Sequence, residues 1–465
     1  MNTPMIAPTS TINFFFAVRQ RALTLRTAPL GHASPSLAFT AGTAIMIFRH
    51  LACCVLLQSG FLPLLIAADQ IPGAQQTKPI AIVGGTLHTV SGSDIAGGTL
   101  VFEAGRITYV GLEGSPPQNA EIIQAEGKHI YPGLIEAHSD LGLVEINAVK
   151  ATLDASETGL FNPNVQAVVA FNPDSELIPV NRANGILAAV TAPSGGLLAG
   201  RSSLMLLDGW TREDMTLRAD TGMHLRWPRS ERGLSELREY LEQAKRYAEA
   251  RRNGGEQPLD LRLEALGMLW ESGLPLVVEA HEREDIEAAV ALSKRQGLKL
   301  ILVGGSGAAD CSALLAREKV PVIVSAVYRT PRHRHSPYDE AYTLPKRLQD
   351  AGIAYCISAG GRFGANGIRN LPYNAATAAA YGLSEQQALR AITLSPAEIL
   401  GVSERMGSLR EGLDATLFIA DGNILETPTQ VERAFIQGRQ VDLSNRHTQL
   451  YEKYSEKYRR LQPAK

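Results

Sequence analysis

Residues 274–305 read LPLVVEAHEREDIEAAVALSKRQGLKLILVGG, and two apolar runs in this stretch flank a helical pattern. Continuous apolar runs of this length are typical of parallel strands that are buried on both faces. Between the runs, apolar residues recur with the spacing of one helix face. The stretch therefore predicts a strand, a helix and a second strand that lies parallel to the first.

The same alternation extends outward over residues 131–402. Further apolar runs are GILAAVTAP, VPVIVSAV and IAYCISAGG, and helical patterns lie between them, such as LPKRLQDAG, which ends at a glycine. Repeated strand–helix units over about 260 residues predict an α/β fold, a (β/α)8 TIM-like barrel, whose usual size is roughly 250 residues. A doubly wound sheet is the alternative, but the chain lacks the G-x-G-x-x-G turn found in many such folds.

Short β-type runs flank the barrel on both sides. Residues 78–130 contain IAIVGGTLHTV and AGGTLVFEAGRITYVG, and residues 403–443 contain MGSLREGLDATLFIADG and VERAFIQGRQVDL. Short strands separated by glycine turns predict a small β-sandwich built from segments on both sides of the barrel. The tail, residues 444–465, predicts a helix that packs on the body through tyrosines on one of its sides.

Composition and the first residues bear on partners and location. The 465-residue chain is 45% hydrophobic and 20% charged, with a net charge of -2. Nothing in this balance suggests nucleic acid or an anionic membrane as a partner, and it leaves the oligomeric state open. Residues 1–68 are interpreted as an N-terminal extension and a signal peptide with a basic start and an apolar run, so we expect export to the periplasm or medium. A membrane anchor is the alternative, because the apolar run is about 18 residues long.

Cysteine usage argues against disulfide chemistry. Cleavage of the signal peptide leaves Cys311 and Cys356, each in an apolar context. Such positions predict buried thiols rather than a disulfide. A nucleophilic role for Cys356 has little support, because no neighbouring residue resembles a base that would form the thiolate.

Several segments resemble the amidohydrolase superfamily. GLIEAHSDLGL, residues 133–143, resembles the first barrel strand of the family, and ALRAITLSPAEILG with GSLREGLDA, within residues 388–415, resembles its C-terminal segment. The resemblance is strongest to exported, imidazolonepropionase-like members and covers residue 78 to about residue 443. It implies a hydrolase of carbon–nitrogen, non-peptide bonds in a small molecule, in which a divalent metal ion, with zinc the first candidate, activates water.

The resemblance also implies where the metal ligands lie. His138 matches the first histidine of the family's His-x-His pair on the first strand, Asp140 replaces the second, and His281 matches the fifth-strand histidine. Residues two apart on a strand face the same side, so both members of the first pair can reach one ion. The expected site is therefore a reduced, mononuclear one made of His138, Asp140 and His281.

Other family site residues are missing. Gly304 or Gly305 stands where the family has a sixth-strand histidine, and Ala359 or Gly360 where it has the eighth-strand aspartate that accepts a proton from water. No convincing fourth-strand lysine is found. Loss of a proton acceptor typically costs roughly 10²–10⁴-fold in rate. Two hypotheses remain: a slow hydrolase with one divalent ion, or a non-catalytic small-molecule-binding protein that has lost the metal site.

Two further segments suggest substrate binding. In TAPSGGLLAGRSSLML, glycines precede Arg201 and Ser202. As a mouth loop, this segment would offer a guanidinium and free backbone amides to a carboxylate, and two plain turns are the alternative. His333 and His335 have His-x-His spacing, but neighbouring arginines, including Arg332, favour a basic rim that attracts an anion over a metal site. Arg201, Ser202 and Arg332 are therefore the candidate substrate-binding residues.

Overall fold

A computed structural model of the protein describes residues 70–325, 327–360 and 364–461. The predicted extension and signal peptide, residues 1–68, lie outside these described residues. Within the described part, the strands form two sheets of eight strands each. No helix in the same ranges combines the length and the apolar character that crossing a membrane requires.

One sheet combines strands from both ends of the described chain. Its strands are β1 (Ile80–Leu87), β2 (Ile95–Glu103), β3 (Arg106–Gly111), β4 (Glu121–Gln124), β5 (His129–Pro132), β14 (Leu417–Ala420), β15 (Val431–Ile436) and β16 (Arg439–Val441). The order is β16-β15-β14-β5-β1-β2-β3, and β4 pairs with β1 beside this path. The antiparallel pair of β5 and β14 joins the N-terminal strands to the C-terminal ones.

This composite sheet has a hydrophobic core of its own. Ile82 of β1, Leu100 of β2 and Leu417 of β14 all belong to it, and Phe102 meets Phe435 edge to face with ring centroids 5.1 Å apart. Both β4 and β5 pair in parallel with β1, but at different places along it. The expected β-sandwich therefore takes the form of one sheet that branches at β1.

The second sheet forms a nearly closed barrel. Its strands are β6 (Leu134–Ser139), β7 (Ile186–Thr191), β8 (Leu198–Leu206), β9 (Thr216–Arg226), β10 (Leu276–Ala280), β11 (Leu300–Gly304), β12 (Val322–Ser325) and β13 (Tyr355–Ser358). They neighbour one another in chain order. Among the described residues, β13 and β6 meet without a backbone ladder, so the seam between them depends on other contacts.

One strand departs from the (β/α)8 pattern. Strand β8 runs antiparallel to β7 and to β9, whereas the other neighbouring pairs of the barrel are parallel. Parallel neighbours need a crossover of about a dozen residues or more, and residues 192–197, between β7 and β8, are too few for one. The expectation of eight parallel strands is therefore wrong at β8.

Helices connect the strands and cover the barrel. They are α1 (Ala167–Ala170), α2 (Leu177–Arg182), α3 (Arg212–Met215), α4 (Glu231–Arg252), α5 (Leu261–Glu271), α6 (Arg283–Gln296), α7 (Ser312–Glu318), α8 (Glu340–Asp350), α9 (Leu371–Ala380), α10 (Glu385–Arg390), α11 (Leu394–Ile399) and α12 (Arg446–Leu461), with 3₁₀ turns at Lys150–Thr152, Ala308–Cys311 and Gly364–Asn370. The unit predicted for residues 274–305 is present as β10, α6 and β11. Helix α6 ends at Gly297, whose φ of 68° suits a glycine cap.

The C-terminal helix differs from expectation in its packing. Helix α12 forms where a helix was predicted, but it buries no residue. Tyr451, Tyr454 and Tyr458 are 75%, 48% and 62% exposed. Ion pairs one turn apart, such as Arg460 with Glu456 (2.6 Å), support a helix that stands in solvent. The expectation that its tyrosines pack on the body is therefore wrong within the described residues.

A buried ion network joins the barrel to the composite sheet. Asp208, which follows β8, lies between Arg182 of α2 and Arg439 of β16, at 3.1 Å from Nη1 of the first and 3.6 Å from Nη2 of the second. All three side chains are buried. The backbone N–H of Gly73 also donates to the Asp208 carboxylate. Because each charge depends on its partner for compensation, the network couples the two sheets energetically.

Candidate functional site

A cavity of about 670 Å³ opens at the carboxyl ends of the barrel strands. The ends of β6, β9 and β10 and the loops after β7, β12 and β13 form its walls. Barrel enzymes place their active sites at this end. The side chains with acid–base, metal-binding or ionic chemistry in its lining are His138, Asp140, His224, Arg226, Glu279, His281 and Arg329.

His138 lies at the carboxyl end of β6, and a buried carboxyl group holds its backbone. Glu136 accepts a hydrogen bond from the N–H of His138 (3.0 Å) and another from the N–H of Ala359 (2.8 Å), which follows β13. Ser358 donates its hydroxyl to the same carboxyl group. Burial raises the pKa of Glu136 to about 7. Glu136 therefore bridges the first and last barrel strands, where no backbone ladder joins them.

His224 completes a histidine pair that the sequence motifs did not indicate. It lies near the end of β9, and its ring stacks on that of His138 with centroids 5.4 Å apart. Burial lowers the pKa of His138 and lowers that of His224 to about 3, so both rings are neutral at pH 7. Nε2 of His224 is buried without a hydrogen-bond partner within the described ranges. His224 lies in the segment TGMHLRWP, so a histidine on this strand was visible in the sequence. The family pattern has a lysine on the fourth strand, and the search for that lysine passed over the histidine.

His281 follows β10, as predicted, and its ring lies against the end of β11. A Cβ atom at Gly304, which has φ +94°, would be 2.5 Å from Cε1 of this ring. Its Nδ1 is 3.5 Å from the Ser306 hydroxyl, and its Nε2 is 3.8 Å from Glu279 Oε1. The interaction with His281 lowers the pKa of Glu279 to about 2, so that carboxylate is ionised. The ring thus uses the space that a side chain at residue 304 would need.

Asp140 lines the same cavity as His138, as its spacing predicted. Its Oδ1 accepts a hydrogen bond of 2.6 Å from the N–H of Ala365. A Cβ atom at Gly364 would lie 2.8 Å from its Oδ2. The carboxylate is therefore positioned by the backbone that follows β13.

The eighth-strand position offers no carboxylate to the cavity. Ala359 and Gly360 follow β13, and a Cβ atom at residue 360 would collide with the carbonyl oxygen of His138. In the described lining, the carboxylates are those of Asp140 and Glu279. A proton acceptor at the end of the eighth strand is therefore replaced by close backbone packing.

The possible metal donors of the cavity include one adjacent pair of imidazoles. His138 and His224 present neutral imidazoles side by side, and the unpartnered nitrogen of His224 has a lone pair available to a metal. Asp140 and His281 have the partners described above. Among the described residues, no group of three or more His, Cys, Asp or Glu side chains is arranged to hold an ion. The predicted set of His138, Asp140 and His281 therefore shares a cavity without forming one coordination group, and it stays a prediction.

Arg201 and Ser202 lie inside β8 and not in a mouth loop. Arg201 contacts Asp220 (3.0 Å) and the sulfur of Met268 on α5 (3.1 Å), and Ser202 shares a hydrogen bond of 2.7 Å with Thr221. Both side chains are buried, and neither lines the cavity. The expected loop with free amides is therefore wrong, because β8 continues through this segment as a ladder strand.

The loop after β12 brings a different arginine to the cavity from the predicted one. Arg332 pairs with Glu282 and is absent from the cavity lining, whereas Arg329 is part of it. The rings of His333 and His335 stack with centroids 5.3 Å apart, and His333 Nε2 is 3.4 Å from Glu282. Substrate binding by Arg332 therefore lacks a contact with the cavity, and the basic rim that the sequence suggests stays a prediction.

The two cysteines have the expected form. Cys311 and Cys356 are buried free thiols. Burial raises the pKa of Cys356 well above its usual value, which disfavours the thiolate. A nucleophilic role for this residue is therefore unsupported.

Fold and site together define a class: α/β-barrel proteins with a histidine-lined cavity at the carboxyl ends of the strands and a second sheet built from both flanks of the barrel. The model of the amidohydrolase family matches residues 279–441. A solved structure of an amidohydrolase from Thermotoga maritima MSB8 superposes with a TM-score of 0.71 at 26% identity and covers 78% of this chain and 99% of its own. These matches support membership of the amidohydrolase superfamily.

Other relatives are more distant. The amidohydrolase tasK of Hapsidospora irregularis is 22% identical in an alignment 399 residues long that covers 73% of this chain. The match spans 39% of the length of that curated relative. A prolidase structure complexed with N-methylphosphonate-L-proline superposes with a TM-score of 0.50 at 15% identity, covering 78% of this chain and all of its own, and shows a shared fold alone.

Proposed function

We propose that this protein hydrolyses a carbon–nitrogen, non-peptide bond of a small molecule in the cavity at the barrel mouth, and that it acts after export. The observation that carries the proposal is the convergence of His138, His224 and His281, with Asp140, on one cavity in a chain of the amidohydrolase superfamily. The signal-peptide form of residues 46–68 supports the location.

The proposed site holds a single divalent ion, with zinc as the first candidate. His138 and His224 would hold it, because their rings are neutral, adjacent and buried. Asp140 or His281 would complete the ligand set by a side-chain rotation. When bound, the ion lowers the pKa of water and so supplies a nucleophile at neutral pH.

The chain's own residues set the rate. Glu136 holds the backbone that carries His138. Glu279 is ionised, but its low pKa makes it a weak proton acceptor. With no carboxylate at Ala359 or Gly360, we expect turnover to be roughly 10²–10⁴-fold slower than in a site with its proton acceptor in place.

A non-catalytic binding protein is the second candidate. Two observations favour it: the described side chains contain no ready group of three metal donors, and backbone packing fills the eighth-strand position. The barrel, the cavity and the ionic lining would then serve binding alone.

Metal content and turnover of the chain from Asp69 onward separate the two candidates. We expect at most one zinc ion per chain by elemental analysis after dialysis, and slow, chelator-sensitive hydrolysis within a panel of N-acyl amino acids, cyclic amides and ureas. His224→Ala should reduce both, whereas His447→Ala, on the exposed C-terminal helix, should reduce neither. Bound ligand without zinc or turnover would favour the binding protein, and two tightly bound ions would contradict the reduced site.

A further inference from the structure

The loop after β12 places one arginine in the wall of the cavity. Arg329 lines it together with Tyr328 and Thr330. Its Nη2 is 3.2 Å from Oε1 of Glu340, the first residue of α8, and its side chain is 19% exposed. The ion pair with Glu340 anchors the guanidinium at one edge.

The other edge of this guanidinium has no such partner. Nη1 of Arg329 is buried and makes no hydrogen bond to any residue that the structure describes. Buried guanidinium N–H groups carry an energetic penalty unless an acceptor pairs with them. An acceptor on a bound molecule in the cavity would remove that penalty.

The other charges of the cavity favour an anionic group at Arg329. Both cavity arginines have a carboxylate partner, but the side chain of Arg226 is 54% exposed, so water can satisfy its free N–H groups, whereas Nη1 of Arg329 is buried. The two carboxylates in the lining, Asp140 and Glu279, repel an anion. The anionic group of a ligand is therefore attracted to Arg329. The uncharged part of the same ligand can then lie beside the histidines. A single available guanidinium edge matches the charge of one carboxylate better than that of a phosphate dianion.

We propose that the molecule bound in this cavity carries a carboxylate that accepts hydrogen bonds from the guanidinium of Arg329. The inference rests on the proposed function for the fate of the molecule, since it makes the substrate class a small carboxylic acid with a carbon–nitrogen bond. The recognition itself does not depend on turnover.

Equilibrium binding tests the proposal independently of hydrolysis. The probes are matched acids and amides: benzoate and benzamide, hippurate and hippuramide, and N-acetylphenylalanine with its amide. Binding to the metal-free and to the zinc-loaded chain is measured by calorimetry. A charge-assisted hydrogen bond predicts that at least one acid binds roughly 10- to 100-fold more tightly than its amide.

Variants assign the preference to one residue. Arg329→Met should remove the preference for the acid, and Arg329→Lys should retain part of it. Arg332→Met is the matched control, because that arginine lies on the same loop, pairs with Glu282 and is absent from the cavity lining. Thermal unfolding of each variant shows whether the fold is kept.

Each outcome bears on a different claim. Equal binding of acids and amides, failure of every acid to bind, or an unchanged preference in a folded Arg329→Met variant would overturn the inference. Binding that depends on Arg329 without any hydrolysis would keep the inference and remove the proposed hydrolase activity.

Discussion

Removing the carboxyl group of Glu136 should destabilise the barrel at its seam. This group accepts hydrogen bonds from the N–H groups of His138 and Ala359 and from the hydroxyl of Ser358. Glu136 and Ser358 are fully buried, and water cannot easily replace the lost acceptor. Glu136→Ala therefore leaves three donors without an acceptor between β6 and β13.

The magnitude follows from the number of donors. Each buried donor left unsatisfied costs about 1–3 kcal/mol. Because the seam can relax in part, we expect Glu136→Ala to lower the free energy of unfolding by about 3–6 kcal/mol. Glu136→Gln keeps the shape of the side chain but places an amide N–H against one of the N–H or O–H donors. It should therefore lower the free energy of unfolding by about 1–3 kcal/mol.

Urea unfolding followed by circular dichroism measures these differences. Glu404→Ala is the control, because its side chain is 88% exposed in a surface pair with Arg410, and such pairs contribute about 0–1 kcal/mol. If Glu136→Ala unfolded within about 1 kcal/mol of the wild type, the seam would not depend on this carboxyl group.

The same residue gives a pH prediction. The pKa of Glu136 is raised by burial to about 7 from an ordinary 4.5, so the folded protein holds a proton that the unfolded chain releases between these values. Its contribution to stability is complete below about pH 4.5 and is lost as pH rises through about 7. The stability difference between wild type and Glu136→Gln should therefore shrink from about pH 5 to about pH 8. A constant or growing difference would contradict the raised pKa.

Three further predictions concern the architecture and export. Asp208→Asn should cost about 3–5 kcal/mol because it leaves two buried arginines uncompensated, whereas Asp350→Asn, in an exposed pair, should cost about 0–1 kcal/mol; similar unfolding midpoints in urea would refute the coupling. Deleting the chain after Met406 removes β14 from β5 and should abolish cooperative unfolding of the soluble protein; a soluble, cooperatively folded product would count against the composite sheet. Residues 46–75 fused to a reporter should direct it across a bacterial inner membrane, with cleavage near Asp69; a purely cytoplasmic reporter would remove the signal peptide.

The sequence predicts the fold where its periodicity is local. The two apolar runs and the helix of residues 274–305 are present as β10, α6 and β11, and both flanks contribute strands to one sheet. The antiparallel direction of β8 could not be predicted in this way, because an apolar run does not show in which direction a strand runs. Its direction follows from the short connection at residues 192–197. The glycines in and after this connection suggested a loop that continued through Arg201 and Ser202, where β8 is found.

The site was predictable only where a residue type and a strand end coincide. His138 and His281 satisfy both conditions and line the cavity. His224 satisfies them too, but the family pattern points to a different residue type on its strand. Arg329 and Arg332 lie on the same loop, but Arg329 lines the cavity whereas Arg332 does not, and the sequence of the loop has no periodicity that would separate them. Ionic partners such as Glu282 decide this difference in the folded protein.

Both the backbone and the side-chain packing at the end of the sixth strand exclude a metal ligand there. A Cβ atom at Gly304 would lie 2.5 Å from the ring of His281. The residue also adopts φ +94°, a conformation that residues other than glycine rarely adopt. Restoring a histidine at this position would therefore require both a different backbone and a displaced His281. The glycine and the histidine form one arrangement in which His281 faces Glu279 and Ser306. A sixth-strand ligand is therefore excluded by the packing of His281, and the proposed metal site depends first on the adjacent rings of His138 and His224.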